Sequence, residues 1–142
     1  MKSEPVTISP AGESFDFGGL SVHWKIDGPA SNGRFAVVHH PLAPHALAAP
    51  LHCHQNEDEY SYVITGTLGA ILGDDVVTAE AGSWVVKPRK QWHTFWNAGD
   101  TPCEIIEIIS PRLDLKTIFA RWPPPGATWN VSGRSMPSIS LK

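Results

Sequence analysis

The chain has 142 residues, a formal charge of −3 with histidine neutral, seven histidines, two cysteines, thirteen prolines and twelve glycines. That length suits one closed hydrophobic core, and a mildly acidic chain without a basic run argues against a nucleic-acid partner. The longest apolar runs, such as EIIEIIS, are too short to span a bilayer, so no membrane partner is expected.

In chain order, MKSEPVTISP lacks the apolar core of a signal peptide, which points to the cytoplasm. In that reducing compartment Cys53 and Cys103 read as small apolar side chains, since their spacing forms no disulfide framework. SFDFGGLSVHWKID alternates around Leu20, Val22, Trp24 and Ile26 and predicts a strand, and RFAVVHH predicts a second. PLAPHALAAP follows as a Pro/Ala-rich connection that should hold no regular ladder. EYSYVI, TLGAIL, DVVTA, SWVVK, WHTFW and CEIIEII are then short β-prone runs separated by turn residues. RLDLKTIFARW predicts a helix with Leu113, Ile118 and Phe119 on one face, and an irregular arm follows. The pattern predicts an all-β, antiparallel barrel or sandwich rather than a helical bundle.

The chemistry concentrates in Leu51 to Gly66, LHCHQNEDEYSYVITG. Strand alternation puts His52 and His54 on one face and Cys53 on the other, either as metal ligands or as a polar surface strand. His93, in KPRKQWHTFWN, lies on a strand that a meander would bring opposite. With Glu59, these three imidazoles suit a divalent first-row metal and leave positions open for water, substrate or dioxygen. Glu57 and Asp58 are rival carboxylates, while His23, His39, His40 and His45 read as surface or hydrogen-bonded core histidines.

By the same alternation Ser61 and Val63 share the face of Glu59, and Phe95 shares that of His93. Trp92 and Trp96 then point the other way, toward packing or a dimer interface. Glu107 interrupts an apolar strand, either at an exposed edge position or as a polar group aimed inward. The expected cavity is mostly apolar and aromatic, with few polar groups, and suits a small organic substrate carrying a chelating oxygen pair.

This spacing resembles the cupin superfamily. In its first motif, G-x5-H-x-H-x3–4-E-x6-G, Ala46 replaces the first glycine and His52, His54, Glu59 and Gly66 fall in register. In its second, G-x5-P-x-G-x2-H-x3-N, Gly82, Pro88, His93 and Asn97 match, and Lys90 stands where glycine is usual. The resemblance implies a single cupin domain over 1–142: a jelly roll with motifs at 46–66 and 82–97, a helix at 112–122 and a tail at 123–142. It implies that His52, His54, His93 and Glu59 hold one divalent transition metal: iron, manganese, nickel, cobalt or zinc. Lys90 should cost about 1 kcal/mol if its turn needs positive φ.

The same resemblance, to small single-domain cupins of the quercetin-dioxygenase-like group, implies a metal-dependent dioxygenase with Glu59 as its catalytic base. A metal-dependent isomerase, lyase or cyclase on the same site, and a non-catalytic small-molecule-binding barrel, are the alternatives. A homodimer is expected as well.

Overall fold

The computed structural model describes residues 14–16, 19–111 and 139–141. Its strands are β1 (Ser14–Asp16), β2 (Ser21–Ile26), β3 (Ala36–Leu42), β4 (Leu47–His54), β5 (Asp58–Thr65) and β6 (Thr67–Leu72). They continue with β7 (Asp75–Glu80), β8 (Trp84–Lys87), β9 (His93–Asn97), β10 (Cys103–Ser110) and β11 (Ile139–Leu141). One sheet has the order β1-β2-β3-β10-β5-β8 and the other β11-β4-β9-β6-β7.

The pairings describe a rolled ribbon. β3 pairs with β10, β4 with β9, β5 with β8 and β6 with β7, all antiparallel, about a tip at Gly73 and Asp74. This is the antiparallel jelly roll expected from the sequence. Alternation drives it, because in each strand every second side chain faces the other sheet. On β10, Cys103, Ile105 and Ile109 are buried while Ile106 and Ile108 are only partly so. Val22, Val38, Val63 and Val85 meet Leu68 and Phe95 in the shared core.

Two expectations change. PLAPHALAAP is not a free connection, because its first two residues end β3 and its last four begin β4. Proline enters this ladder because the β4–β9 register shifts twice, between Leu47 and Ala49 and between Ala49 and His52. A bulge takes residues out of the ladder, so the missing Pro50 N–H costs no strand bond. The helix expected at 112–122 lies outside the described residues. The tail is not wholly irregular, since β11 adds parallel to β4, with Ile139 opposite His52 and Leu141 opposite His54. Among the described residues no helix is long and apolar enough to cross a membrane.

The turns need special backbone at specific positions. Gly66 has φ 80°, and a Cβ there would meet Pro102 O at 2.7 Å and Cys103 Cα at 2.8 Å. Gly82 has φ 91° with nothing within 4 Å of its missing Cβ. Gly66→Ala should therefore lose about 1–3 kcal/mol or more from conformation plus a backbone clash, and Gly82→Ala only about 1 kcal/mol. Equilibrium urea unfolding of both variants checks the order.

Candidate metal centre

Strand register assembles the site. β4 and β9 place His52 opposite His93, and β5 and β8 place Glu59 opposite Lys87. His54 follows on the same face of β4, two residues beyond His52. One ligand atom from each of His52, His54, Glu59 and His93 lies within 4.8 Å of all the others, and all four residues are buried. The imidazole rings converge with centroids 4.2 Å apart for His52 and His93, 4.9 Å for His52 and His54, and 5.6 Å for His54 and His93.

Backbone carbonyls fix two tautomers. His52 Nδ1 lies 2.7 Å from Pro50 O and His93 Nδ1 lies 3.1 Å from Gln91 O. A carbonyl only accepts, so both Nδ1 atoms carry the hydrogen and both Nε2 atoms turn a lone pair into the cluster. Glu59 answers from the other sheet. Its Oε1 is 2.5 Å from His54 Nε2 and 4.0 Å from His52 Nε2, and its Oε2 is 3.3 Å from His93 Nε2.

These donors fit a metal ion. Among the described residues, the buried side-chain atoms without a hydrogen-bond partner are His39 Nε2 and four atoms of this quartet: His54 Nδ1 and Nε2, His93 Nε2, and Glu59 Oε2, which is met by ion pairing alone. Such orphaned atoms are costly in a protein interior. His54 Nε2 and His93 Nε2 face the Glu59 carboxylate from two strands, and a shared cation is what would satisfy imidazole and carboxylate lone pairs gathered in this way.

Behind Glu59 stands a polar network that the expected apolar cavity does not include. Lys87, with no solvent exposure, has Nζ 2.9 Å from Glu59 Oε2 and in contact with Glu107 Oε1. It sits over the Phe95 ring, 3.7 Å from the centroid. Glu107 also accepts from Ser61 Oγ at 3.1 Å, and its Oε2 lies 3.1 Å from His40 Nε2. Glu107 thus points inward because alternation puts it on the face of Ile105 and Ile109, where a carboxylate needs partners. Ser61, Val63 and Phe95 are buried on the inward faces as expected. His40 is a hydrogen-bonded core histidine, also as expected. Lys87 went unrecognised in the sequence, although WVVK alternates so that Val85 and Lys87 share the inward face.

The charges set the protonation preferences. Burial opposes the charged form of Glu59, but the Lys87 ammonium and the three imidazoles hold its carboxyl well below the usual range. Burial likewise opposes the Lys87 cation, and the charges of Glu107 and Glu59 outweigh it, raising its pKa. Burial lowers the His93 pKa, with Glu59 opposing. For His54 burial also acts downward, but the close contact and charge of Glu59 prevail and raise it.

The rival carboxylates have other roles. Glu57 Oε2 is 3.8 Å from His54 Nδ1, too far for a hydrogen bond. Asp58 accepts from the Arg89 backbone N–H at 2.8 Å and from its guanidinium at 2.6 Å. Lys90 adopts φ 65°, the left-handed turn where the motif usually has glycine, and its N–H donates to His54 O at 2.7 Å. Together these contacts tie the loop leading to His93 onto the strands carrying His54 and Glu59. On the outer side, Trp92 is partly exposed and Trp96 packs over Gly69, as alternation predicts.

Residues 38–109 match the cupin domain family, Cupin_2. The fold is similar to that of KdgF from Halomonas sp., at 18% identity and TM-score 0.67, over 78% of this chain and 97% of that one. It is also similar to a predicted oxalate decarboxylase from Thermotoga maritima, at 18% identity and TM-score 0.67, over 75% and 99% of the two chains. The cupin domain of an XRE family transcriptional regulator from Enterobacter cloacae aligns at 20% identity and TM-score 0.58, over 66% and 97%. No curated protein sequence matches the chain. At these identities the likeness carries the fold and leaves the chemistry to the site itself.

Two outcomes follow from this geometry. The unmutated protein should take up one divalent ion per chain and gain about 2.7 kcal/mol of stability at free metal a hundredfold above Kd. His93→Ala should lose most of both, as read by metal analysis and thermal unfolding with and without a chelator. The second outcome concerns Asp58, whose pKa is lowered by its hydrogen bonds to Arg89. A depressed carboxyl stabilises the fold above its unfolded pKa, about 3.9, and that contribution is lost as pH falls through the folded value. Asp58→Asn should therefore flatten the loss of stability below about pH 4, measured by urea unfolding across pH.

Proposed function

Because the chain belongs to the cupin domain family, we propose that it is a mononuclear metal-binding cupin acting as a dioxygenase, of the quercetin-dioxygenase-like kind, on a small chelating organic substrate. The observation that carries this reading is the buried quartet His52, His54, Glu59 and His93, which offers one ligand atom each within 4.8 Å of the others. A divalent ion held there would supply Lewis acidity and open positions for substrate oxygens and dioxygen.

The chain's own residues do the rest. His52 and His93 are held as Nε2 donors by Pro50 O and Gln91 O, so neither needs to reorient. Among the described residues Glu59 is the carboxylate that meets all three imidazoles, which supports it as the acceptor of a substrate proton. Val63 and Phe95 supply apolar walls, and Ser61 and Glu107 the polar side. Iron, manganese, nickel, cobalt and zinc all suit this donor set. Exposed Trp84 and Val86 on the terminal strand β8 of its sheet support a second copy of the chain as partner there.

A second reading, an oxygen-independent isomerase, lyase or cyclase, uses the same residues. It is favoured by the fixed charges around Glu59, which serve proton transfer without any redox change. Oxygen uptake separates the two. Metal-loaded protein offered flavonols and other small enols should consume O₂ in step with substrate loss, and Glu59→Gln should slow this about 100-fold or more. Turnover under strict anaerobiosis would move the protein to the second reading.

A further inference from the structure

Lys87 is the fully buried ammonium for which the ligand set itself has no use. Its surroundings leave it one position: Glu107 on β10, Glu59 on β5 and the Phe95 ring on β9 hold it from three strands. Glu107 is fixed in turn by Ser61 Oγ and faces His40 Nε2, whose Nδ1 lies 3.3 Å from Ser21 O. The ammonium is thus anchored against the fold and not merely paired with its nearest carboxylate.

The two oxygens of Glu59 have different environments. Oε1 faces His54 and His52, while Oε2 borders both His93 Nε2 at 3.3 Å and Lys87 Nζ at 2.9 Å. Both oxygens therefore border ligand nitrogens, and Lys87 competes for only one of them.

We infer that Lys87 is a positioning residue that retains Oε2 of Glu59, so that the carboxylate ligates a bound ion through Oε1 alone and leaves a coordination position for the second oxygen of a bidentate substrate. This rests on the metal-binding reading above and deepens it, since it names the residue that keeps two positions open to a chelating substrate. Three imidazoles and one oxygen make four protein donors; a carboxylate using both oxygens would make five and leave an octahedral ion a single open position.

The test uses the Co²⁺-loaded full chain and two probes: acetohydroxamate, which binds through two oxygens, and azide, which binds through one. Lys87→Met alone would leave Glu107 buried without its counter-ion and invites misfolding. The informative variant is the double Lys87→Met/Glu107→Gln, which removes both charges and keeps hydrogen-bonding groups for Ser61 and His40. Visible-absorption titrations should show azide binding retained and the acetohydroxamate-to-azide affinity ratio lowered about tenfold, the scale on which partners of metal ligands act.

An unchanged ratio overturns the inference. So does a parallel loss of both probes, which would make Lys87 a general support of the fold. If the unmutated protein takes up no Co²⁺, the metal reading itself fails before any variant is compared. Should the double variant not fold, infrared difference spectra of the unmutated protein on Co²⁺ loading decide the matter. Widely split carboxylate stretches, as for one-oxygen ligation, support the inference, and narrowly split ones overturn it.

Discussion

Two carboxylates share one ammonium in the interior of this barrel, and the ligand set is arranged around that fact. Burying an ion costs several kcal/mol unless partners replace its water, and breaking a buried pair leaves the remainder uncompensated. Glu107, Glu59 and Lys87 come from β10, β5 and β8, three consecutive strands of one sheet. His52, His54 and His93 come from β4 and β9 of the other. One sheet thus presents charge and the opposing sheet presents imidazole, with Glu59 reaching across to join them.

The backbone prepares the imidazole side. The bulge near Pro50 tolerates the missing N–H and turns the Pro50 carbonyl to His52, so the departure from regular pairing also sets a tautomer. Gln91 O does the same for His93, and the left-handed Lys90 ties its loop to His54. Ligand orientation here is imposed by main-chain groups that no side-chain substitution removes directly.

Much of this was legible in the sequence, for identifiable reasons. The quartet was readable because strand alternation and motif spacing point to the same four residues. Lys90 announced its positive φ by standing at a glycine position. Pro50 misled, since proline and alanine look like a connection unless the bulge is known in advance. The position of Glu107 was open because alternation assigns a face only once register is known, and register depends on distant partners. Lys87 escaped for a related reason. An inward lysine becomes meaningful only when β8 is laid beside β5 and Glu59 is found opposite.

The rolled ribbon has a kinetic side. Its pairings nest like parentheses about Gly73 and Asp74, from β6 with β7 outward to β3 with β10. In such an arrangement each inner pair shortens the loop that the next must close, so the ribbon can zip outward from its tip at modest entropic cost. The four ligands and Lys87 all lie between β4 and β9, inside the outermost pair, whereas Glu107 and His40 lie on it. Fraying at the ends of the ribbon would release Lys87 from its anchor while the imidazoles stayed gathered. The stiffness of the site's charged side is therefore set by the last strands to close.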